Sequence, residues 1–282
     1  MHGGRGSGRR RSSRQIAGKS RQGESRQVQG QVQGDEQLIA GRNPVIESLK
    51  AGRRISRILI AEGSRGKPVD QITELASTRG VGLEYVSRDV LDQLVSPGMG
   101  SHQGVVAFAR PKEYVSVERI LEVTERGAGR PLIVILDGIE DPRNFGAILR
   151  TCDACGVHGV IIRERRAVGL TPAVAKASAG AIESVPVARV TNLAQAVEKL
   201  KQHGIWVAAA HGDATKAISI WDADFTVPLA VIIGGEGRGV GRLLLESCDF
   251  VVSIPTMGKV SSLNASVALA VVLYEVLRQR QR

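Results

Sequence analysis

The stretch Ile254-Pro255-Thr256-Met257-Gly258-Lys259-Val260-Ser261-Ser262-Leu263-Asn264-Ala265-Ser266 joins a strand end, a Pro/Gly loop, a doubled serine and a helix start in one short run. Upstream, the β-branched Val251, Val252 and Ile254 predict a buried strand. Downstream, Leu263, Val267, Ala270, Val271, Tyr274 and Leu277 recur at helical spacing. Ser261 or Ser262 is the expected N-cap of that helix. A strand–loop–helix turn of this kind aims backbone amides and small hydroxyls at the space above the strand end, where α/β sheets hold their ligands. Standing alone, the stretch reads equally well as an ordinary βα turn.

Working outward, the chain from Pro131 onward alternates short apolar runs with helical patterns. The runs fall at 132–136, 157–162, 185–190, 205–210, 229–233 and 250–254. They are continuous rather than alternating, which predicts strands buried on both faces, as in a parallel sheet. Ahead of them, residues 36–112 form a smaller α/β pattern. Helices are predicted over 44–51, 69–79 and 89–95, and strands over 56–61, 82–86 and 104–110. The charged segment 113–130, ending in Arg126-Gly127-Ala128-Gly129-Arg130, reads as a linker. The expected organisation is a basic tail at 1–35, a small domain at 36–112, the linker at 113–130 and a larger domain at 131–282.

The 282 residues are 43% hydrophobic, enough for one large core or two smaller ones, and carry a formal charge of +10. That charge is concentrated at the front. Residues 1–34 hold eight Lys/Arg against the single acid Glu24, a net +7 that leaves only +3 for the rest. Rich in Gly, Ser, Gln and Arg, the tail cannot build a core and is expected to be disordered. It is either a basic arm that adds electrostatic affinity for RNA or a leader without a role. The folded body must bind RNA, if at all, through local patches.

Three cysteines do not make a disulfide scaffold. Cys152 and Cys155 form a C-x-x-C, but no second Cys or His pair stands at metal spacing and both lie in a predicted helix, so a structural role is expected. No metal is called for. No apolar run approaches the roughly eighteen residues of a membrane span, and the N-terminus lacks the apolar stretch of a secretory signal. An Arg/Ser-rich transit peptide stays open, and a soluble cytoplasmic protein is the default.

Two further motifs carry chemistry. In Leu136-Asp137-Gly138-Ile139-Glu140-Asp141-Pro142-Arg143-Asn144-Phe145-Gly146-Ala147-Ile148-Leu149-Arg150, Asp141 is a predicted N-cap and Pro142 a first-turn proline. Asn144 and Arg150 are six residues apart, about 240° around a helix, so they serve different roles. Arg150 follows Ala147, Ile148 and Leu149 and needs either a salt-bridge partner or a substrate phosphate. In Leu229-Ala230-Val231-Ile232-Ile233-Gly234-Gly235-Glu236-Gly237-Arg238-Gly239, glycines let backbone approach a ligand closely, and Glu236 stands at the strand end. A nicotinamide or flavin fingerprint would open the first βα unit instead, and a phosphate-binding P-loop would need Lys-Ser/Thr. A dinucleotide oxidoreductase is therefore rejected.

As an ordered set, these three motifs resemble the TrmH branch of the SPOUT methyltransferases, also called the SpoU family. The resemblance covers Pro131 to the C-terminus. Residues 36–112 are similar to the small ribosomal-protein-like RNA-binding domain of the RlmB subgroup, through Gly41-Arg42-Asn43-Pro44-Val45 and His102-Gln103-Gly104. His102 either contacts RNA or is an inert loop histidine. The resemblance implies a trefoil-knotted α/β methyltransferase domain with a mostly parallel sheet, which no spacing argument reaches. It also implies a homodimer and S-adenosylmethionine as cofactor, contacted at Gly234, Ile254 and Leu263. Arg150 corresponds to the family's catalytic arginine, and Asn144, Glu236, Ser262 and Asn264 to its other functional positions.

The implied activity is 2′-O-methylation of a guanosine ribose in 23S ribosomal RNA. A tRNA or another rRNA ribose is the alternative substrate. A non-catalytic RNA-binding ribosome-assembly factor is the rival class.

Overall fold

Apolar runs long enough to be covered on both sides are what organise this chain. Its computed structural model describes residues 36–95, 101–126, 129–212, 217–258 and 262–281. The basic tail and Ser261 lie outside these. The front body comprises β1 (Gln37–Ala40), α1 (Arg42–Lys50), β2 (Ile55–Ala61), α2 (Lys67–Thr78), β3 (Gly82–Val86), α3 (Arg88–Leu94) and β4 (Val105–Ala109). The sheet order is β1-β4-β2-β3, with β2 and β3 parallel and β4 antiparallel to both its neighbours. All five β4 residues are buried because helices cover both faces. Val105 and Ala107 pack with α1 and α2 residues, Val106 and Phe108 with α3.

The second body begins with α4 (Val117–Arg126), then β5 (Leu132–Asp137), α5 (Pro142–Ala154), β6 (Gly159–Arg163), α6 (Pro172–Ala177), α7 (Ala181–Ser184) and β7 (Val187–Val190). It continues with α8 (Leu193–Gln202), β8 (Trp206–Ala210), β9 (Ile218–Ser219), β10 (Leu229–Gly234), α9 (Arg242–Glu246), β11 (Phe250–Ser253) and α10 (Ala265–Arg280). Seven strands in the order β7-β6-β5-β10-β8-β11-β9 form a sheet whose pairings are all parallel. Each strand supplies two cores. Leu132, Val134 and Leu136 face α5 and α10, while Ile133 and Ile135 face α4 and α8. Because β5, β10, β8 and β11 are adjacent and parallel, the loops leaving their C-terminal ends converge.

The segment expected as a linker instead carries α4, which buries Val117, Ile120 and Leu121 in the second core, and Val115 bridges to Ala188. Its charges occupy one side of an amphipathic helix, which hid the apolar side in a compositional reading. The two bodies meet at Glu183. Its carboxylate accepts from Arg53 at 2.7 Å and from the Ser48 hydroxyl at 3.2 Å, and its carbonyl accepts from Lys112 Nζ at 2.7 Å. Burial pulls the Lys112 ammonium below the usual lysine range, with Glu183 acting in the opposite direction.

Two other expectations change in the last helix. It is capped by Asn264, whose carbonyl oxygen accepts from the Ser266 amide at 2.9 Å, and not by Ser262. Asn caps as well as Ser, and here it stands immediately before the first helical residue. The stripe through Leu263, Val267 and Tyr274 points outward, while Leu269, Val272, Leu273 and Val276 fill the core. The helix is apolar on both sides, so spacing alone selected the uncovered one.

Cys152 and Cys155 are free and buried. Burial pushes both thiols well above the usual range, in keeping with inert packing residues.

Candidate active site

The second and third motifs form one cavity of about 610 Å³ at the C-terminal ends of β10 and β11. Gly234, Glu236, Ile254, Ser262, Leu263 and Asn264 all line it, so six of the eight predicted site residues come together. Asn144 stands beside it on α5, as part of the hydrogen-bonded network that holds its rim. Arg150 does not line it. That side chain is exposed on α5 and makes no ion pair or hydrogen bond among the described residues, so the expected salt bridge is absent there.

The first motif enters through α5. Asp141 caps that helix by accepting from the Arg143 amide at 2.8 Å, with Pro142 in the first turn as expected. The cap places Asn144 at the helix mouth, where its Nδ2 donates to Glu236 Oε1 at 2.9 Å. Asn264 Nδ2 donates to Asn144 Oδ1 at 3.0 Å and to the same Glu236 oxygen at 2.6 Å. One residue from each motif thus meets in a closed network, drawn from positions 120 apart in sequence. Asn264 is used at both ends: its amide nitrogen serves the network while its oxygen caps α10 and also accepts from the Ser266 hydroxyl at 2.6 Å.

That double use gives a test. Asn264→Ser should retain the cap but lose the network, lowering stability by about 1 kcal/mol. Asn264→Asp also retains the cap, yet sets a second carboxylate within hydrogen-bonding distance of Glu236. We expect it to be the less stable of the two at neutral pH in thermal unfolding. Equal stability would mean the network contributes nothing.

Two positioning residues escaped the sequence reading. Asp137, the last residue of β5, accepts from Arg163 at 2.9 Å through one oxygen and from the Gly241 amide at 2.9 Å through the other. It thereby ties the far end of the glycine loop to the sheet. His211, just past β8, lines the cavity and packs beside Gly239, which has a φ of +61°. The loop itself is tight: the Gly235 amide donates to Asp137 O at 2.8 Å and the Gly239 amide to Gly235 O at 3.0 Å. A mostly apolar wall (Ile233, Ile254, Leu263, Ala265, Ala268) faces backbone polar groups and Glu236. Such a cavity suits a ligand with one flat apolar part and several polar attachments. No group of three or more His, Cys, Asp or Glu that could hold a metal occurs among the described residues.

Comparison with known proteins follows the same division. A family model described as the SpoU rRNA Methylase family matches residues 131–274, and one described as RNA 2'-O ribose methyltransferase substrate binding matches residues 38–115. YacO of Bacillus subtilis, which bears the name of a TrmH family tRNA/rRNA methyltransferase, is 48% identical over 86% of this chain and 95% of its own. A Staphylococcus haemolyticus protein named for the same family is 45% identical over 87% and 96%. Among solved structures, the SpoU methyltransferase AviRb of Streptomyces viridochromogenes, in complex with the cofactor AdoMet, aligns with a TM-score of 0.74 at 26% identity. That alignment covers 88% of this chain and 91% of AviRb.

Proposed function

This chain belongs to the SpoU (TrmH) family of RNA methyltransferases, and from that premise we propose that it carries a methyl group from S-adenosylmethionine to the 2′-oxygen of a guanosine in 23S ribosomal RNA. The observation that carries the reading is the cavity itself. Its glycine loop lies so close to the sheet that no side chain fits at Gly234, and its apolar wall and backbone polar groups match an adenosine carrying an amino-acid tail. Gly234, Ile254 and Leu263 with neighbouring backbone would hold that cofactor, which supplies an electrophilic methyl when bound. The front body, which matches the substrate-binding model, supports an RNA substrate. The trefoil threading implied by the resemblance, and a cytoplasmic location, belong to the same proposal.

A ribose 2′-hydroxyl is a weak nucleophile and must lose its proton as it reacts, so the protein's means are alignment and stabilisation of the developing oxyanion. Arg150 is the group we assign to that charge, either directly or by holding the adjacent phosphate. A guanidinium with a pKa above about 12 is a donor at neutral pH and a poor base. Asn144, Glu236 and Asn264 hold the two loops and α5 in register, and Ser262, exposed on the cavity rim, is placed to hydrogen-bond the ribose.

Arg150 lies away from its own cavity, which leads to a homodimer in which each chain lends its arginine to the partner's site. The outward face of α10 supports this: Leu263, Val267 and Tyr274 are 41%, 48% and 59% exposed, an apolar stripe that a second copy would cover.

A tRNA ribose is the second reading, since the similar bacterial proteins carry names covering both RNAs. Mapping 2′-O-methyl positions in total RNA with and without the gene separates the two. Loss of one 23S guanosine signal is the expected result; loss confined to tRNA would replace the substrate, and no loss would favour a non-catalytic assembly factor.

A further inference from the structure

The front body carries a second cavity, of about 330 Å³, that none of the three motifs reaches. It opens where the β1–α1 junction, the β2–α2 loop, the start of α3 and the residues before β4 come together. Three guanidinium groups, Arg42, Arg65 and Arg88, and the single carboxylate Glu62 line it. Across residues 36–112, eleven Lys/Arg stand against eight Asp/Glu, so the body as a whole is only weakly basic and this concentration is local.

The arginines are available. Arg65 and Arg88 are exposed and make no ion pair or side-chain hydrogen bond among the described residues, and neither pairs with Glu62 there. Elsewhere in the same body, Arg53 is committed to Glu183 and Arg57 lies over the Phe108 ring near Glu84. Arg42 differs from its two neighbours: Nε donates to Gln103 O at 3.0 Å and one terminal nitrogen to Arg65 O at 3.4 Å. Both partners are neutral carbonyls, so the cation is fixed in place without being neutralised, and three of its five N–H groups stay open.

The wall around it is rigid. Gly104 has a φ of +80°, and a Cβ there would stand 2.4 Å from the Ser64 hydroxyl. The buried His102 ring holds the same turn, accepting the Gly104 amide on Nδ1 at 3.0 Å and donating from Nε2 to Asp92 at 2.8 Å. His102 is therefore a positioning residue with both ring nitrogens engaged, not an RNA contact.

We infer that this cleft seats a backbone phosphodiester of the RNA substrate, with Arg42 as the fixed donor and Arg65 and Arg88 as the mobile ones. Guanidinium forks match phosphate oxygens. The lining contains no aromatic side chain on which a base could stack, so the contact reads the backbone and not the sequence. The inference rests on the assignment of RNA as substrate and deepens it.

The test uses the full chain with the double variants Arg65→Ala/Arg88→Ala and Arg65→Lys/Arg88→Lys. Both residues lack structural partners, so folding should be unaffected. Binding is read by fluorescence anisotropy with labelled RNA hairpins of unrelated sequence, and methyl transfer with ribosomal RNA from cells lacking the gene. For the alanine pair we expect RNA affinity to fall about ten-fold for every hairpin, and the slope of log affinity against log salt to flatten by about 1.4, or about 0.7 per lost contact. The RNA KM should rise with kcat at saturation and cofactor affinity unchanged, and the lysine pair should recover most of the slope. Unchanged hairpin affinity and salt slope would overturn the inference, and a loss confined to one hairpin sequence would overturn the backbone reading. An enzyme inactive on every RNA would defeat the methyl-transfer assignment instead, while hairpin binding still reports on the cleft.

Discussion

Arg150→Ala is expected to lower turnover by at least about a hundred-fold while leaving cofactor affinity within about two-fold, the signature of lost transition-state stabilisation. The side chain is exposed and unpartnered among the described residues, so removing it should cost the fold nothing measurable. It also lies outside the cavity, which is why cofactor binding should persist. Arg150→Lys keeps the charge but not the planar fork, and should recover only part of the rate.

The location adds a sharper outcome. If each chain serves its partner's cavity, an equimolar mixture of Arg150→Ala with a chain unable to bind cofactor should regain about a quarter of wild-type activity. Half of the dimers are then mixed, and each has one complete site. An arginine serving its own chain would regain nothing.

The chain unable to bind cofactor is the second large effect. At Gly234 an added Cβ would stand 2.0 Å from the Gly239 carbonyl carbon and 2.3 Å from both the Gly239 oxygen and the Val240 amide nitrogen. Those neighbours are backbone, so relief requires the loop to move bodily. The loop is tied down at one end by the Gly235–Asp137 bond and at the other by Asp137 accepting from Gly241. We expect Gly234→Ala to lower S-adenosylmethionine affinity more than about a hundred-fold and to reduce stability by about 1–3 kcal/mol.

Gly237→Ala is the control. Its φ of +83° makes the change mildly strained, but the Cβ meets nothing within 4 Å, so affinity should fall by less than about three-fold. Calorimetric titration reads both. Similar losses for the two variants would mean that backbone strain, not close approach to the sheet, shapes the cavity.

Much of the architecture was legible because parallel strands covered on both faces leave continuous apolar runs; 82–86 and 229–233 are plain in the sequence for that reason. The edge strands were not. β1 has four residues and β9 two, and each exists only because a neighbour offers unpaired backbone. The cap and outer face of α10 were misread, since Asn264 and two serines compete as caps and the helix is apolar on two sides.

For the site, glycine spacing and the Asp-Pro cap pointed to the cavity, and the resemblance supplied its residue roles. Asp137 and His211 could not be found this way. Asp137 works through a partner 104 residues later, and only the parallel register that sets it opposite Gly234 brings the two together. The cleft in the front body was equally hidden. Its arginines come from three separate loops, and in sequence each is one solvated charge among many.

The central claim is that this cavity delivers a methyl group to a ribose oxygen. Incubating the purified chain with isotopically labelled S-adenosylmethionine and ribosomal RNA from cells lacking the gene, then digesting the product to nucleosides for mass spectrometry, tests it most directly. The account predicts label in 2′-O-methylguanosine, abolished by Arg150→Ala. Label on a base, or none in any nucleoside, would contradict it.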